Sequence, residues 1–297
     1  MRLHMQFQST MSARRQTLLR EMRRSDLAFA AECARASGRI TESAEELESF
    51  LASDPRGCWI ALERLHPVGF CVARSYATSG FLGAMVVDHA RNPRQLEMDL
   101  LERAVKYLKS FEVDNFYAEV PHTSVKSYER AGFVKVARIV GFDGKVYGRS
   151  HWHVRGLHPT DLTEVLGLDR HAFRANRLAL LGQRLAVSAK YCKVLEANGK
   201  MGGFIMARRG SNGIAVGPWV VSSDVDCPAD LLESLASEAK GERLYIEVLE
   251  SNTAAVELLR TLGFAESTQE IWRMRLGKPT SVGQASSLFA VASPFMG

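Results

Sequence analysis

The sequence predicts an α/β (α+β) protein built from two tandem copies of one unit, and two observations support this. First, the motifs "YERAGF" (Tyr128 to Phe133) and "LRTLGF" (Leu259 to Phe264) occupy matching places in the two halves of the chain. Second, each motif lies between strand-like runs, with "NFYAEV" before the first motif and "RLYIEVL" before the second. An order of elements that recurs at half the chain length indicates a duplicated fold.

The first half reads as a regular series of strands and helices. Ser43 and Glu46 fit a capping box for the helix "AEELESFLA". The runs "CWIALE" and "VGFCVARSY" predict a pair of strands, and "GFLGAMVV" predicts a third. The helix that follows has one apolar face, which consists of Leu96, Leu100, Ala104 and Leu108.

The second half repeats this order. The strand-like runs "KYCKVLE" and "MGGFIMAR" flank Asn198-Gly199, a strong hairpin signal, and "GIAVGPWVV" predicts the third strand. Pro228 suits the first turn of the next helix, whose apolar face is Leu231, Leu235 and Ala239. The glycine of each repeated motif, Gly132 or Gly263, is expected to end a helix in a left-handed turn.

The join between the halves is expected between Gly144 and Thr160. This assigns residues 1–147 to the first domain, with residues 1–15 as a candidate for disorder, 148–160 to a linker and 161–297 to the second domain. The linker contains His151, Trp152 and His153, with His158 close behind, and such a group of histidines can bind a metal ion. No acidic or cysteine partner stands at ligand spacing, so the sequence predicts a polar linker and no metal.

Composition describes a globular protein with a sizeable core. Hydrophobic residues make up 46% and aromatic residues 8% of the chain, and no apolar run reaches the roughly 18 residues of a membrane span. A net charge of +5 permits an anionic coenzyme but does not favour nucleic acid as a partner. The arginines among the first 24 residues fit a transit peptide, but the preferred interpretation is an ordinary N-terminal segment that leads into the first strand and helix.

The cysteines show no metal-binding or disulfide spacing. Their odd number and wide scatter predict reduced, mostly buried thiols in a cytoplasmic protein. The five cysteines are Cys33, Cys58, Cys71, Cys192 and Cys227.

Several stretches in this order resemble the GNAT superfamily of acyl-CoA-dependent N-acyltransferases, and more narrowly its tandem branch with a divergent C-terminal domain. "DPRGCWIALE", "PVGFCVARSY", "FLGAMVV" and "EVPHTSVKSYERAGF" are similar to the N-terminal domain of that branch. "LDRHAF", "VGPWVV", "ESNTAAVELLRTLGF", "RMRLG" and "LFAVASPFMG" are similar to its C-terminal domain. The resemblance implies two separate folds packed together, each a mixed, mostly antiparallel sheet flanked by helices.

The resemblance also implies direct acyl transfer from acetyl-CoA to a small amine in a ternary complex, without a metal. The family position of the proton donor to the leaving thiolate holds Tyr128 in the first half and Leu259 in the second. A packed aromatic is the alternative role for Tyr128. Glu119, on the strand that faces the expected cleft, is the candidate base, and a solvated glutamate is its alternative. The family asparagine is Asn252, expected as a helix N-cap, and Pro121 replaces it in the first half.

The pyrophosphate loop departs from the family pattern. In "VVDHARNPRQLEMDLL" Arg91 takes the basic position, but Arg94 and Leu96 stand where glycines are usual, and "VVSSDVDCPADLL" of the second half contains neither glycine nor arginine. Side chains at glycine positions obstruct the approach of a pyrophosphate to the backbone. The hypothesis is a weak site held by arginine side chains, and a solvated basic turn is the alternative. The predicted coenzyme-binding residues are Val86, Val87, Arg91, Asn92, Arg94, Gln95 and Leu96.

Three functions remain open at this point. The first is an acetyl-CoA-dependent N-acyltransferase with a catalytic first half, acting on an unidentified small amine. The second is a catalytically inactive binding or regulatory module, and the third is an aminoacyl-tRNA-dependent transferase. Trp219 and Trp272 are expected in the core rather than in a substrate platform. Oligomeric state is not predicted.

Overall fold

The fold is described by a computed structural model that covers residues 17–36, 44–88, 93–197, 199–210, 212–278 and 285–293. The strands are β1 Thr17–Glu21, β2 Cys58–Glu63, β3 His66–Ser75, β4 Gly80–Val87, β5 Asn115–Pro121, β6 Val134–Gly144, β7 Val154–Gly156, β8 Lys193–Ala197, β9 Lys200–Arg209, β10 Ile214–Val221, β11 Leu244–Leu249, β12 Ala265–Glu266, β13 Ile271–Gly277 and β14 Leu288–Ala290. The helices are α1 Leu27–Ala36, α2 Ala44–Ser53, α3 Pro93–Lys109, α4 Val125–Arg130, α5 Leu162–Phe173, α6 Leu178–Ser188, α7 Ala229–Ala239 and α8 Thr253–Thr261.

The described strands form one continuous 14-stranded sheet. Its order is β1-β2-β3-β4-β5-β13-β6-β11-β10-β9-β8-β7, while β12 attaches to β6 and β14 to β10. Pairing is antiparallel except between β4 and β5 and between β10 and β11. The prediction of a mixed, mostly antiparallel α/β architecture is confirmed, but the prediction of two separate sheets is wrong.

The sheet is continuous because the two halves exchange strands at its centre. β13 of the second half lies between β5 and β6 of the first, and β6 in turn pairs with β11 of the second. The two halves remain equivalent in strand order. Counted inward from either end of the sheet, β1 to β5 of the first half correspond to β7 to β11 of the second, and β6 and β13 occupy equivalent places at the centre. An alternating sequence identifies β13 as a strand but cannot tell which neighbour it will pair with, because the hydrogen-bonding edges of all strands are chemically alike.

Helices cover both faces of the sheet in each half. In the first half, α3 and α4 pack on one face and α1 and α2 on the other, and the predicted apolar face of α3 is buried throughout. In the second half, α7 and α8 cover one face and α5 and α6 the other, with the predicted face of α7 buried. Gly132 and Gly263 follow α4 and α8 with φ of 90° and 81°, as the motif predicts.

Some local predictions change in the structure. Of the predicted linker, residues 154–156 form β7, which pairs with β8, so the irregular connection between the sheet strands is residues 145–153. Glu46 lies buried against arginines of the second half, while Ser43 lies outside the described residues. The hairpin of β8 and β9 is confirmed with Gly199 at φ 73°, and Asn198 and residues 1–15 lie outside the described residues.

The cysteines are free and mostly buried, as predicted, with Cys227 exposed. Burial raises the pKa of the Cys58 thiol to about 12 and that of Cys192 to about 11. In the described part of the chain, no helix has the length and hydropathy needed to cross a bilayer.

Candidate active site

The first half contains a cleft between two parallel strands that diverge. β4 pairs with β5 only from Gly80 to Leu82, opposite Phe116 to Ala118. Beyond this point β4 stays on β3, and the backbone N–H of Asp88 still donates to the carbonyl of Val68 at 2.8 Å. Among the described residues no strand pairs with this far part of β4 on the side of β5, so it presents a backbone edge toward the gap. Such an edge can pair with an extended ligand that carries amide groups.

The start of α3 lies just beyond the open end of this cleft. Arg94 and Gln95 are exposed in the first turn, and the Gln95 amide donates to Asp99 at 2.8 Å. Leu96 instead packs in the core, so it can meet a ligand only through its backbone. Unpaired N–H groups and the helix dipole favour an anion at this end of α3. Arg91 and Asn92 lie outside the described residues.

The two valines before the loop point in opposite directions. Val86 packs in the cluster under α1 and α2, whereas Val87 packs in the cluster under α3. Neither side chain is directed at the cleft. Any contact of these residues with a coenzyme would use their backbone groups.

Tyr128 on α4 is buried beside the open segment of β4. Its hydroxyl lies 3.8 Å from the sulfur of Met85, and its ring packs edge-on against Phe133 with centroids 5.3 Å apart. Met85 belongs to the part of β4 that has left β5. The hydroxyl of Tyr128 therefore lies beside the part of β4 that borders the cleft.

Glu119 on β5 is buried in an ion pair with Arg273 of β13. The two residues are opposite each other in the antiparallel pair, so the exchanged strand brings the guanidinium to the carboxylate. The sequence shows no signal for this pairing, because it depends on the strand exchange. The guanidinium of Arg273 therefore lies directly against the carboxylate of the candidate base.

The equivalent cleft of the second half is filled by the chain itself. β10 pairs with β11 only from Ile214 to Val216, and β14 then pairs with β10 at Trp219 and Val220. On the other side the backbone N–H of Val291 donates to the carbonyl of Glu247 on β11 at 2.9 Å. The gap that is open in the first half thus holds residues 288–291 in the second.

Asn252 forms hydrogen bonds with this inserted segment. Its side-chain oxygen accepts from the N–H of Ala255 at 3.1 Å, which confirms the predicted N-cap. Its amide nitrogen also donates to the carbonyl of Leu288 at 3.0 Å and to that of Ser286 at 3.3 Å. Leu259, at the position of Tyr128, is buried in the core and carries no proton to donate. Trp219 is buried as predicted and packs on Phe289 of the segment, whereas Trp272 is half-buried.

A cavity of about 960 Å³ lies between the halves. Helices α1 and α2 line one side, and α6 and the end of β9 line the other. Glu46 stands between two buried arginines, 3.1 Å from Arg184 and 2.7 Å from Arg208. Burial, together with the charge of Arg208, lowers the pKa of Arg184 to about 10. Two guanidinium groups to one carboxylate give this wall an excess of positive charge.

Comparisons with known proteins agree with this description. Residues 165–290 match the model of the acetyltransferase (GNAT) domain family. No curated protein matches the chain. Among solved structures, the chain is similar to a Pyrococcus horikoshii protein assigned as an acetyltransferase, with 20% identity over 99% of this chain and 100% of that one and a TM-score of 0.80.

Two further structures show the same fold across most of the chain. A GCN5-related N-acetyltransferase from Sphaerobacter thermophilus is 15% identical, with coverage of 91% of this chain and 98% of that one and a TM-score of 0.66. A tandem GNAT protein from the clavulanic acid biosynthesis pathway is 13% identical, with coverage of 90% and 100% and a TM-score of 0.62. At such identities the likeness concerns the fold.

Proposed function

Residues 165–290 are a GNAT acetyltransferase domain and the chain as a whole has the GNAT fold, and on this premise we propose that the protein is an acyl-CoA-dependent N-acyltransferase whose first half is catalytic. The observation that carries the proposal is the difference between the two clefts. The gap between β4 and β5 leaves a backbone edge for a coenzyme, whereas residues 288–291 occupy the gap between β10 and β11.

In this proposal the pantetheine arm of acetyl-CoA lies along the open edge of β4, and the pyrophosphate lies at the start of α3. The guanidinium of Arg94 binds the pyrophosphate and replaces backbone N–H contacts that a loop without glycines does not make. Tyr128 protonates the leaving thiolate, and Glu119 receives the amine proton, directly or through water. The acyl group moves from sulfur to nitrogen in a ternary complex.

The cavity between the halves is proposed as the acceptor site. Its wall of Arg184, Arg208 and Glu46 carries excess positive charge, and Arg35 adds an exposed charge at the margin. Such a wall favours an amine that also bears a carboxylate or phosphate group. Thiol release measured over a panel of acidic and neutral amines tests this, with Arg35→Glu expected to raise KM for the acidic amines. Lys200→Glu, a charge reversal in the β8–β9 hairpin, is the matched control.

Calorimetric titration with coenzyme A tests the location of the coenzyme site. The parent protein is expected to bind one coenzyme per chain, more weakly as salt increases, because exposed charges are screened. Arg94→Glu should abolish binding. Ala229→Glu places the same charge at the corresponding turn of α7 and should leave binding unchanged.

The reverse result, with binding lost only in Ala229→Glu, would place the coenzyme in the second half and contradict the proposal. Binding of one coenzyme without thiol release over the whole amine panel would favour the inactive binding module.

A further inference from the structure

The connection between the halves brings two histidines onto the start of α7. Trp152 is 96% exposed, and the histidines on either side of it turn inward, so that the side chains of His151 and His153 are only 13% and 19% exposed. Asp230 and Glu233, three residues apart, lie on one face of α7, and both are exposed by less than 15%. Four metal-ligating side chains thus meet from two short segments.

The distances within this cluster are short. His153 Nε2 lies 2.9 Å from Asp230 Oδ2, and His151 Nδ1 lies 3.4 Å from the same oxygen. His151 Nε2 lies 2.8 Å from Glu233 Oε2. Ligand atoms of His151, Asp230 and Glu233 all fall within 4.8 Å of one another.

We propose that this cluster is a binding site for a divalent transition-metal ion of the zinc class, held by His151, His153 and Asp230. Imidazole nitrogen and carboxylate oxygen are ligands that Zn²⁺ accepts, at about 2.0–2.2 Å from the metal. Ligand atoms on a tetrahedral ion with such bonds are about 3.3 Å apart. The two nitrogen–oxygen distances at Asp230 lie close to this value, whereas the imidazole rings of His151 and His153, with centroids 5.8 Å apart, must turn toward each other for both to bind one ion.

The remaining contacts fit the outer shell of such a site. A histidine that binds metal through one nitrogen normally donates the other N–H to a carboxylate, which fixes the ring. His151 can bind through Nδ1 and donate from Nε2 to Glu233. Glu233 is itself held by Arg149, whose Nε lies 2.6 Å away. This assigns Glu233 to orientation of His151 rather than to direct ligation.

The surrounding backbone is closely packed, which keeps the histidines in place. An added Cβ at Gly148 would collide with the backbone of Ala236 and Ser237, so the connection lies directly against α7. A bound ion would join the connection between the halves to the first turn of α7. The sequence does not indicate this site, because Asp230 and Glu233 are far along the chain from the histidines.

Calorimetric titration with Zn²⁺ after treatment with EDTA is the test. One ion per chain is expected for the parent protein, and His153→Ala or Asp230→Ala should remove binding. Glu233→Gln should weaken it about 10- to 100-fold, the effect typical of an outer-shell group. His158→Ala, an exposed histidine of the same segment, and Cys227→Ser, an exposed thiol near Asp230, should bind as the parent does.

Absence of zinc binding in the parent, or loss of binding in Cys227→Ser alone, would overturn the proposal. Thermal unfolding in EDTA checks that the variants fold. If the alanine variants unfold, Co²⁺ added to the parent protein provides a second test. A tetrahedral Co²⁺ spectrum that Zn²⁺ displaces supports the site, and the absence of such a spectrum contradicts it.

Discussion

Glu119 and Arg273 form a buried ion pair across the boundary between the two halves of the chain. They are register partners on β5 and β13, so the pair exists only because β13 has entered the sheet of the first half. Both side chains are buried, so each charge has been removed from water. The candidate base of the first half is therefore positioned by a residue of the second half, which gives the tandem arrangement a direct role at the cleft.

A double-mutant cycle on this pair separates catalysis from stability. Glu119→Gln is expected to lower kcat about 10²- to 10⁴-fold if the carboxylate accepts the amine proton. Arg273→Met removes the positive charge that lies against the buried carboxylate of Glu119 and is expected to cost about 3–5 kcal/mol in unfolding free energy. The double variant should recover part of that stability but none of the activity. Urea unfolding and thiol release on the same samples measure both quantities, and a Glu119→Gln enzyme with parental kcat would leave the pair a purely structural role.

Removal of the Tyr128 hydroxyl should affect turnover more than coenzyme binding. Tyr128→Phe keeps the ring that packs on Phe133 but loses the proton that the leaving thiolate requires. Initial rates of thiol release should fall, while the Kd for coenzyme A stays close to that of the parent. Tyr245→Phe, which removes a hydroxyl from β11 of the second half, is the matched control and should keep full activity. Equal rates in Tyr128→Phe and the parent would mean that water or another group donates the proton.

The order of the elements could be predicted from the sequence, because it depends on local patterns. The apolar faces of α3 and α7, the glycine turns after α4 and α8, and the N-cap at Asn252 all reflect interactions within a few residues. Such local signals do not depend on how distant segments of the chain pack. The burial of Trp219 followed in the same way from its place in an apolar strand.

The features that the sequence did not reveal depend on contacts between distant segments. Three such contacts are the exchange of β13, the insertion of β14 and the approach of Asp230 to His153. In each case the local sequence does not indicate which distant residue will be the partner. Glu46 illustrates the same limit. Its spacing from Ser43 fits a local cap, but its carboxylate pairs with arginines more than a hundred residues away.

The stability of the region around β7 should depend on pH through Asp161. Hydrogen bonds from Arg155, at 2.8 Å, and from the backbone N–H of His158, at 2.7 Å, hold the pKa of Asp161 below its ordinary value despite partial burial. A lowered folded-state pKa contributes stability above the unfolded value of about 3.9, and this contribution disappears as pH falls through the folded pKa.

Asp161→Asn should therefore be less stable than the parent at pH 7, and the difference should shrink steadily below about pH 4. Urea unfolding at a series of pH values measures it. Asp226→Asn, in the exposed loop before α7, is the control and should follow the parent at every pH. A deficit that is equal at pH 7 and pH 3 would show that the amide disturbs packing rather than removing a charge.

The occupied cleft of the second half can be loosened by one change that spares the helix cap. Asn252→Asp keeps the oxygen that accepts from Ala255 but loses the amide that donates to Leu288 and Ser286. Loss of these hydrogen bonds, with a carboxylate oxygen placed against two carbonyl oxygens at a buried position, is expected to cost at least about 1–3 kcal/mol. Amide exchange at Val291 and along β14 should accelerate, while α8 retains its protection. Coenzyme stoichiometry should remain at one per chain, because the loop before α7 offers neither glycine nor arginine to a pyrophosphate. A second equivalent of coenzyme bound by this variant would show instead that residues 288–291 keep a competent site closed.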